Sequence, residues 1–158
     1  MSRWLVAMLL CGLCSIGNAQ STVAVPPADN LKTDAFQVEQ RKTPILLILT
    51  QTGCGYCELL MREVIGPMIV SGDYQDRILI RELSLDHGRT VIDFDGQTRP
   101  TADLASRYRE WLTPTLLLLD GQGQELVERI RGINTLDYFS YYLDRAIEQA
   151  RHRLTADS

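Results

Sequence analysis

From residue 31 onward the apolar residues fall into short dense runs separated by polar punctuation. Leu31, Ala35 and Val38 recur at helical spacing, so residues 31–40 are expected as a first helix. The run ILLILT, residues 45–50, is nearly continuous and β-branched at Ile45 and Ile48, the pattern of a strand covered on both faces. Leu60, Met61, Val64 and Ile65 return to helical spacing, and Gly66-Pro67 is expected to break or restart that helix near residues 68–70. Residues 77–83 read as a second strand, and residues 86–100 as a loop or hairpin excursion. Thr101 is placed to cap a helix over 102–109, with Asp103 favourable in its first turn. Residues 115–119 form a third strand. Asp120-Gly-Gln-Gly123 then turns the chain into an alternating fourth strand over 125–130, which implies an antiparallel hairpin. A long helix follows, capped by Asn134 or Thr135, with Leu136, Phe139, Leu143 and Ile147 facing inward and Arg145, Arg151 and Arg153 toward its C-terminal end. These elements imply an α/β fold, a mixed four-stranded sheet with helices on both faces.

The N-terminus has a different pattern. Arg3 gives a basic start, residues 4–16 are almost all apolar, and Gly17-Asn18-Ala19 supplies the small residues that a signal peptidase reads. This is the pattern of a secretory signal peptide, with cleavage expected after Ala19. The apolar run is shorter than the roughly 20 residues a membrane-spanning helix needs. Residues 20–30, QSTVAVPPADN, are polar and proline-containing and read as a flexible tether. With 158 residues, 45% hydrophobic and 23% charged, the rest suits one domain.

Loss of residues 1–19 removes one arginine and no acid, so the exported form is one unit more negative than the −4 of the whole chain. An acidic product without a basic stripe is a poor partner for nucleic acid. The leader also carries off Cys11 and Cys14, leaving Cys54 and Cys57 in a compartment where disulfides persist.

Cys54-Gly-Tyr-Cys57 follows a strand and opens a helix. Free N–H groups and the positive end of the dipole favour an anion there. Cys54 is therefore expected to ionise more readily than a free cysteine of pKa about 8.5, and Cys57 to resolve what Cys54 captures. An inert disulfide and a metal site are the competing readings. Zinc prefers four ligands and the exported chain adds only His87 and His152, both expected as solvated surface residues. Cu(I) accepts two thiolates, so a Cu(I)-binding metallochaperone is the alternative function.

Thr113-Pro114-Thr115 stands immediately before the third strand, where a proline marks a strand start or a bend. With this feature, the cysteine motif after residues 45–50, and Asp120-Gly-Gln-Gly123 beyond, the sequence resembles the thioredoxin superfamily over roughly residues 32–150. The resemblance implies a thioredoxin-like fold and a cis Thr113–Pro114 peptide beside the cysteines. It also implies that the Thr113 backbone offers hydrogen bonds to an extended substrate. On this reading Cys54 and Cys57 are catalytic, and Gly55, Tyr56, Thr113 and Pro114 bind substrate, Gly55 permitting a tight turn and Tyr56 offering a flat contact.

Gly-Tyr between the cysteines, Thr before the proline and the Asp93-Phe-Asp-Gly96 excursion look most like periplasmic disulfide isomerase catalytic domains and exported thioredoxins. Ile48 and Gly53 stand where cytoplasmic thioredoxins carry a buried Asp and a Trp, so proton transfer from Cys57 is expected to use water or Glu58. Leu112 and Glu110 also depart from the family's usual Gly and small apolar residue, and Trp111 is expected either in the core or beside the groove. The dimerisation domain of isomerases is missing, which points to a reductase or a specialised partner protein.

The expected organisation is a leader over 1–19, a linker over 20–31, a thioredoxin-like domain over 32–153 and a tail over 154–158. The expected function is a periplasmic thiol:disulfide oxidoreductase of reductase or isomerase type that needs no cofactor. Its expected partners are proteins bearing disulfides or thiols and a membrane-bound electron donor, with the chain itself a monomer.

Overall fold

Two strands without an exposed residue carry the core. They are β1 (Ile45–Thr50) and β5 (Thr115–Leu119), adjacent in a four-stranded sheet of order β2-β1-β5-β6. The structure, a computed structural model, describes residues 23–156. The expected leader, with Cys11 and Cys14, lies outside the described residues. Strand β2 (Leu79–Ser84) runs parallel to β1, while β5 and the two-residue β6 (Ile130–Arg131) are antiparallel to their neighbours. Alternate β1 side chains enter two separate clusters. Leu46 and Ile48 pack with Leu60, Val64 and Ile65 and with Phe139, Leu143 and Ile147 of α5 (Leu136–Ala156). Ile45, Leu47 and Leu49 pack against α1 (Leu31–Arg41) and α4 (Thr101–Tyr108). Each fully buried Leu or Ile contributes about 1.5–3 kcal/mol, so β1 is the best-anchored segment of the chain.

Local chemistry explains where the elements differ from expectation. At Gly66-Pro67 the helix restarts and does not end: a new α-helical segment begins at Gly66 with Pro67 in its first turn. Pro67 has no N–H to donate, and the chain between α2 (Gly55–Leu60) and α3 (Gly66–Ser71) widens into a π turn over Met61–Ile65, closed by the Gly66 N–H on the Met61 carbonyl. A Cβ on Gly66 would sit 2.9 Å from that oxygen, so only glycine fits.

The fourth strand, expected over 125–130, shrinks to β6. Glu125 makes a lone bridge to Leu119, Leu126 and Val127 are both buried, and Arg129 turns inward to donate to the Tyr108 carbonyl at 2.6 Å. Thr101 does not cap α4. Pro100 holds that position, and the Thr101 N–H is spent on the Arg89 carbonyl at 3.0 Å. The excursion over 86–100 is a hairpin of β3 (Thr90–Ile92) and β4 (Thr98–Pro100). It is tied to α4 through the fully buried Asp93, which pairs with Arg99 at 3.0 Å and with Arg107.

The tether expected over 20–30 is, from residue 25 onward, part of the domain. The Ala28 N–H donates to the Glu82 carbonyl at 2.8 Å, the Glu82 N–H to the Pro26 carbonyl at 2.9 Å, and Val25 and Ala28 are buried. This strap covers the free edge of β2, whose unpaired backbone groups would otherwise face outward. At the other end α5 continues to Ala156, past the expected boundary at 153. Replacing Ala28 by Asp places an unpaired carboxylate under the strap and is expected to lower stability by about 2–3 kcal/mol, read from the urea midpoint. An unchanged midpoint would show the strap to be a tether after all.

Candidate active site

Strand β1 ends at Thr50, and residues 51–53 swing the chain across the sheet edge into α2. The left-handed turn this needs is taken by Gly53, at φ 76°, and not by Gly55, which is the first residue of α2 with open space where a Cβ would be. Cys54 occupies the N-cap position in extended conformation. Its Sγ accepts the Cys57 N–H at 3.1 Å, and its carbonyl accepts the Glu58 N–H at 3.1 Å. Cys54 and Cys57 are joined by a disulfide. The pair is asymmetric: Cys54 is half-buried, whereas Cys57 is 5% exposed.

The loop before Cys54 is pinned by residues the sequence did not single out. Asp86, beyond the end of β2, accepts the Thr52 N–H at 2.9 Å, the Thr52 hydroxyl at 2.7 Å and the Ser84 hydroxyl at 2.8 Å. One step below, the Thr50 hydroxyl donates to the Glu82 carboxylate at 2.7 Å. These partners are 34 and 32 positions apart in sequence, and only the parallel β1–β2 register, with Thr50 opposite Ser84, brings them together. A Ser-x-Asp at the end of a strand was the one available signal.

Both cysteines line a groove of about 1330 Å³, with Glu58, Met61, Arg62, Glu82, Asp86, Arg89 and the strap. Neither histidine lines it. His87 is exposed, and His152 lies beside Glu148 at 3.3 Å. Among the described residues no group of three or more His, Cys, Asp or Glu is arranged to hold a metal ion. No described helix is long and apolar enough to cross a membrane.

The second predicted feature lies on the next strand. Thr115 pairs with Leu49, so Pro114 and Thr113 run past the end of β1 toward the loop that delivers Cys54. The Thr113–Pro114 peptide is cis, and the buried Pro114 offers its carbonyl to the Gly132 N–H at 2.8 Å. Tyr56, Trp111 and Leu112 are 64%, 57% and 51% exposed, so Trp111 is outside the core.

Asp86 gives this site a pH signature. Hydrogen bonds from the Thr52 backbone, then from the Thr52 and Ser84 hydroxyls, hold its carboxyl below the ordinary value of 3.8. A depressed carboxyl stabilises the folded loop above pH 3.8 and loses that contribution as pH falls through the lower folded value. The Thr52 amide resonance is expected to titrate with a midpoint below 3.8, and a midpoint at or above it would contradict the anchor.

Comparison with known proteins agrees with this geometry. No curated protein matches the chain. Among solved structures, a DsbH oxidoreductase is similar at 14% identity and a TM-score of 0.57, covering 90% of this chain and 95% of its own. Thioredoxin f2 of Chlamydomonas reinhardtii is similar at 15% identity and 0.52, covering 77% and 95%. The periplasmic thioredoxin SoxS of Paracoccus pantotrophus, in its reduced form, is 25% identical with a TM-score of 0.47, covering 68% and 98%. Residues 31–147 match the thioredoxin-like domain family. The chain therefore belongs to that family, with Cys54 and Cys57 as its disulfide-bonded Cys-x-x-Cys pair.

Proposed function

We propose that the chain is an exported, periplasmic oxidoreductase of reductase or isomerase type that acts on protein disulfides through Cys54 and Cys57. The observation that carries this reading is the asymmetric disulfide pair at the start of α2, with Cys54 partly exposed and Cys57 buried. In the reducing direction the Cys54 thiolate attacks one sulfur of the substrate disulfide. That bond breaks, and the departing sulfur takes a proton. The mixed disulfide is then attacked by Cys57, which has given up its own proton. The second substrate thiol leaves, and the Cys54–Cys57 disulfide closes, so two electrons have passed to the substrate.

Gly55, with open space above it, the exposed Tyr56, and Thr113–Pro114 supply the surface on which an extended substrate segment lies. Export rests on the leader pattern of residues 1–19. A membrane-bound dithiol donor is needed to reduce the pair again, because the compartment itself is oxidising.

The start of α2 and the Cys57 N–H favour a thiolate at Cys54, the attacking species. The groove it lines carries both signs, Glu58, Glu63, Glu82 and Asp86 with Arg62 and Arg89.

Substituting Cys57 by Ala is expected to leave protein adducts on Cys54 that dithiothreitol releases and that vanish when Cys54 is also replaced. The wild type is expected to catalyse insulin reduction. Absence of both adducts and insulin reduction would overturn the proposal.

A further inference from the structure

The cysteine pair shares its side of the helix with another sulfur. Cys54 at the N-cap, then Cys57, then Met61 follow one another at helical intervals. The backbone keeps that spacing: the Met61 N–H donates to the Cys57 carbonyl, so one α turn separates the two before the chain widens into the π turn. Residues four apart on a helix have Cβ atoms about 5–6 Å from each other, and a methionine leans back over the turn that precedes it. Here that turn carries Cys57. The Cα atoms of Cys54 and Cys57 are 5.2 Å apart.

Packing alone does not ask for sulfur at residue 61. Met61 is half-buried against the cluster that holds Leu46, Leu60, Val64 and Ile65, a contact that leucine would make equally well. What sets Met61 apart is that it also lines the groove with Cys54 and Cys57. Met68, the other methionine among the described residues, is buried in the same cluster and does not line the groove. Two thiolates and a thioether make a soft donor set, suited to Cu(I) and poor for hard cations. Zinc prefers four donors, and among the described residues no His, Asp or Glu stands with the cysteines in a group arranged to hold an ion.

We propose that the reduced pair forms, with Met61, a binding site for one Cu(I) ion that the disulfide form lacks. The Cys54 and Cys57 thiols each lose a proton to solvent and two copper–sulfur bonds form. The Met61 thioether supplies the third ligand, and no electron changes hands. Closing the Cys54–Cys57 disulfide withdraws both thiolates, so holding copper and donating electrons exclude each other. The site needs the reduced pair and no substrate disulfide, and it goes beyond the exchange proposed above, in which Met61 has no part.

The test reduces the full chain, frees it of metal and titrates it anaerobically with Cu(I) against the chromophoric chelator bicinchoninate. The reduced wild type is expected to take one equivalent, and the disulfide form none. X-ray absorption at the copper edge is expected to show three sulfur neighbours, falling to two in Met61→Leu, a substitution that keeps the packing volume. The same substitution is expected to weaken Cu(I) binding by at least about tenfold, the smallest loss typical of a residue that merely supports a ligand. Met68→Leu is the control and is expected to leave both affinity and sulfur count unchanged. Failure of the reduced wild type to hold copper would overturn the inference, as would copper uptake by the disulfide form. An affinity or a sulfur count unmoved by Met61→Leu would overturn it too, and so would a preference for Zn(II) when both ions are offered. Insulin reduction and Cys54 adducts, measured on metal-free protein, decide the proposed function separately.

Discussion

Strand β1 fixes the rest of the molecule because it is hydrogen-bonded on both sides and buried on both faces. A strand so placed cannot slip by one residue without turning Leu46 and Ile48 into the cluster built for Ile45, Leu47 and Leu49. Its end therefore marks a fixed point, from which three residues carry the chain to Cys54. The same register sets both neighbours. Ser84, and with it Asp86, arrives beside Thr50 on the parallel side, and Pro114 arrives on the antiparallel side.

The two sides of β1 give the sulfurs different surroundings. Toward β2 lie carboxylates and hydroxyls: Glu82 on Thr50, and Asp86 on Thr52 and Ser84. These groups anchor the loop. Toward β5 lie the cis proline and the exposed Trp111 and Leu112, next to the buried Glu110 carboxylate and its partners Arg129 and Arg131. The division follows from a mixed sheet, in which the cysteine loop has a parallel neighbour on one flank and an antiparallel neighbour on the other.

The central strands, the helix after the cysteines, the long α5 and the pairing of a Cys-x-x-Cys with a Thr-Pro were legible in the sequence, because dense apolar runs and two local motifs specify them. Three things were not. The strap over residues 25–30 reads as a polar tether because it is held through backbone hydrogen bonds and small residues such as Ala28, which leave no periodic trace. The loss of most of the fourth strand depends on Arg129 finding Glu110 and the Tyr108 carbonyl, contacts that exist only once the sheet has formed. The anchoring roles of Asp86, Glu82 and Glu110 likewise arise from register. Glu110 stood out in sequence only as an unusual residue, and its meaning came from Arg129 and from Arg131 of β6.

The proposed reductase or isomerase role requires the Cys54–Cys57 pair to be a better electron donor than the pair of a strong oxidant. The most direct measurement is its reduction potential, from equilibration of the full chain with defined thiol–disulfide buffers. A value close to the thioredoxin range, about −270 mV, is what the account predicts. A value near −120 mV, that of a strong oxidant, would contradict it.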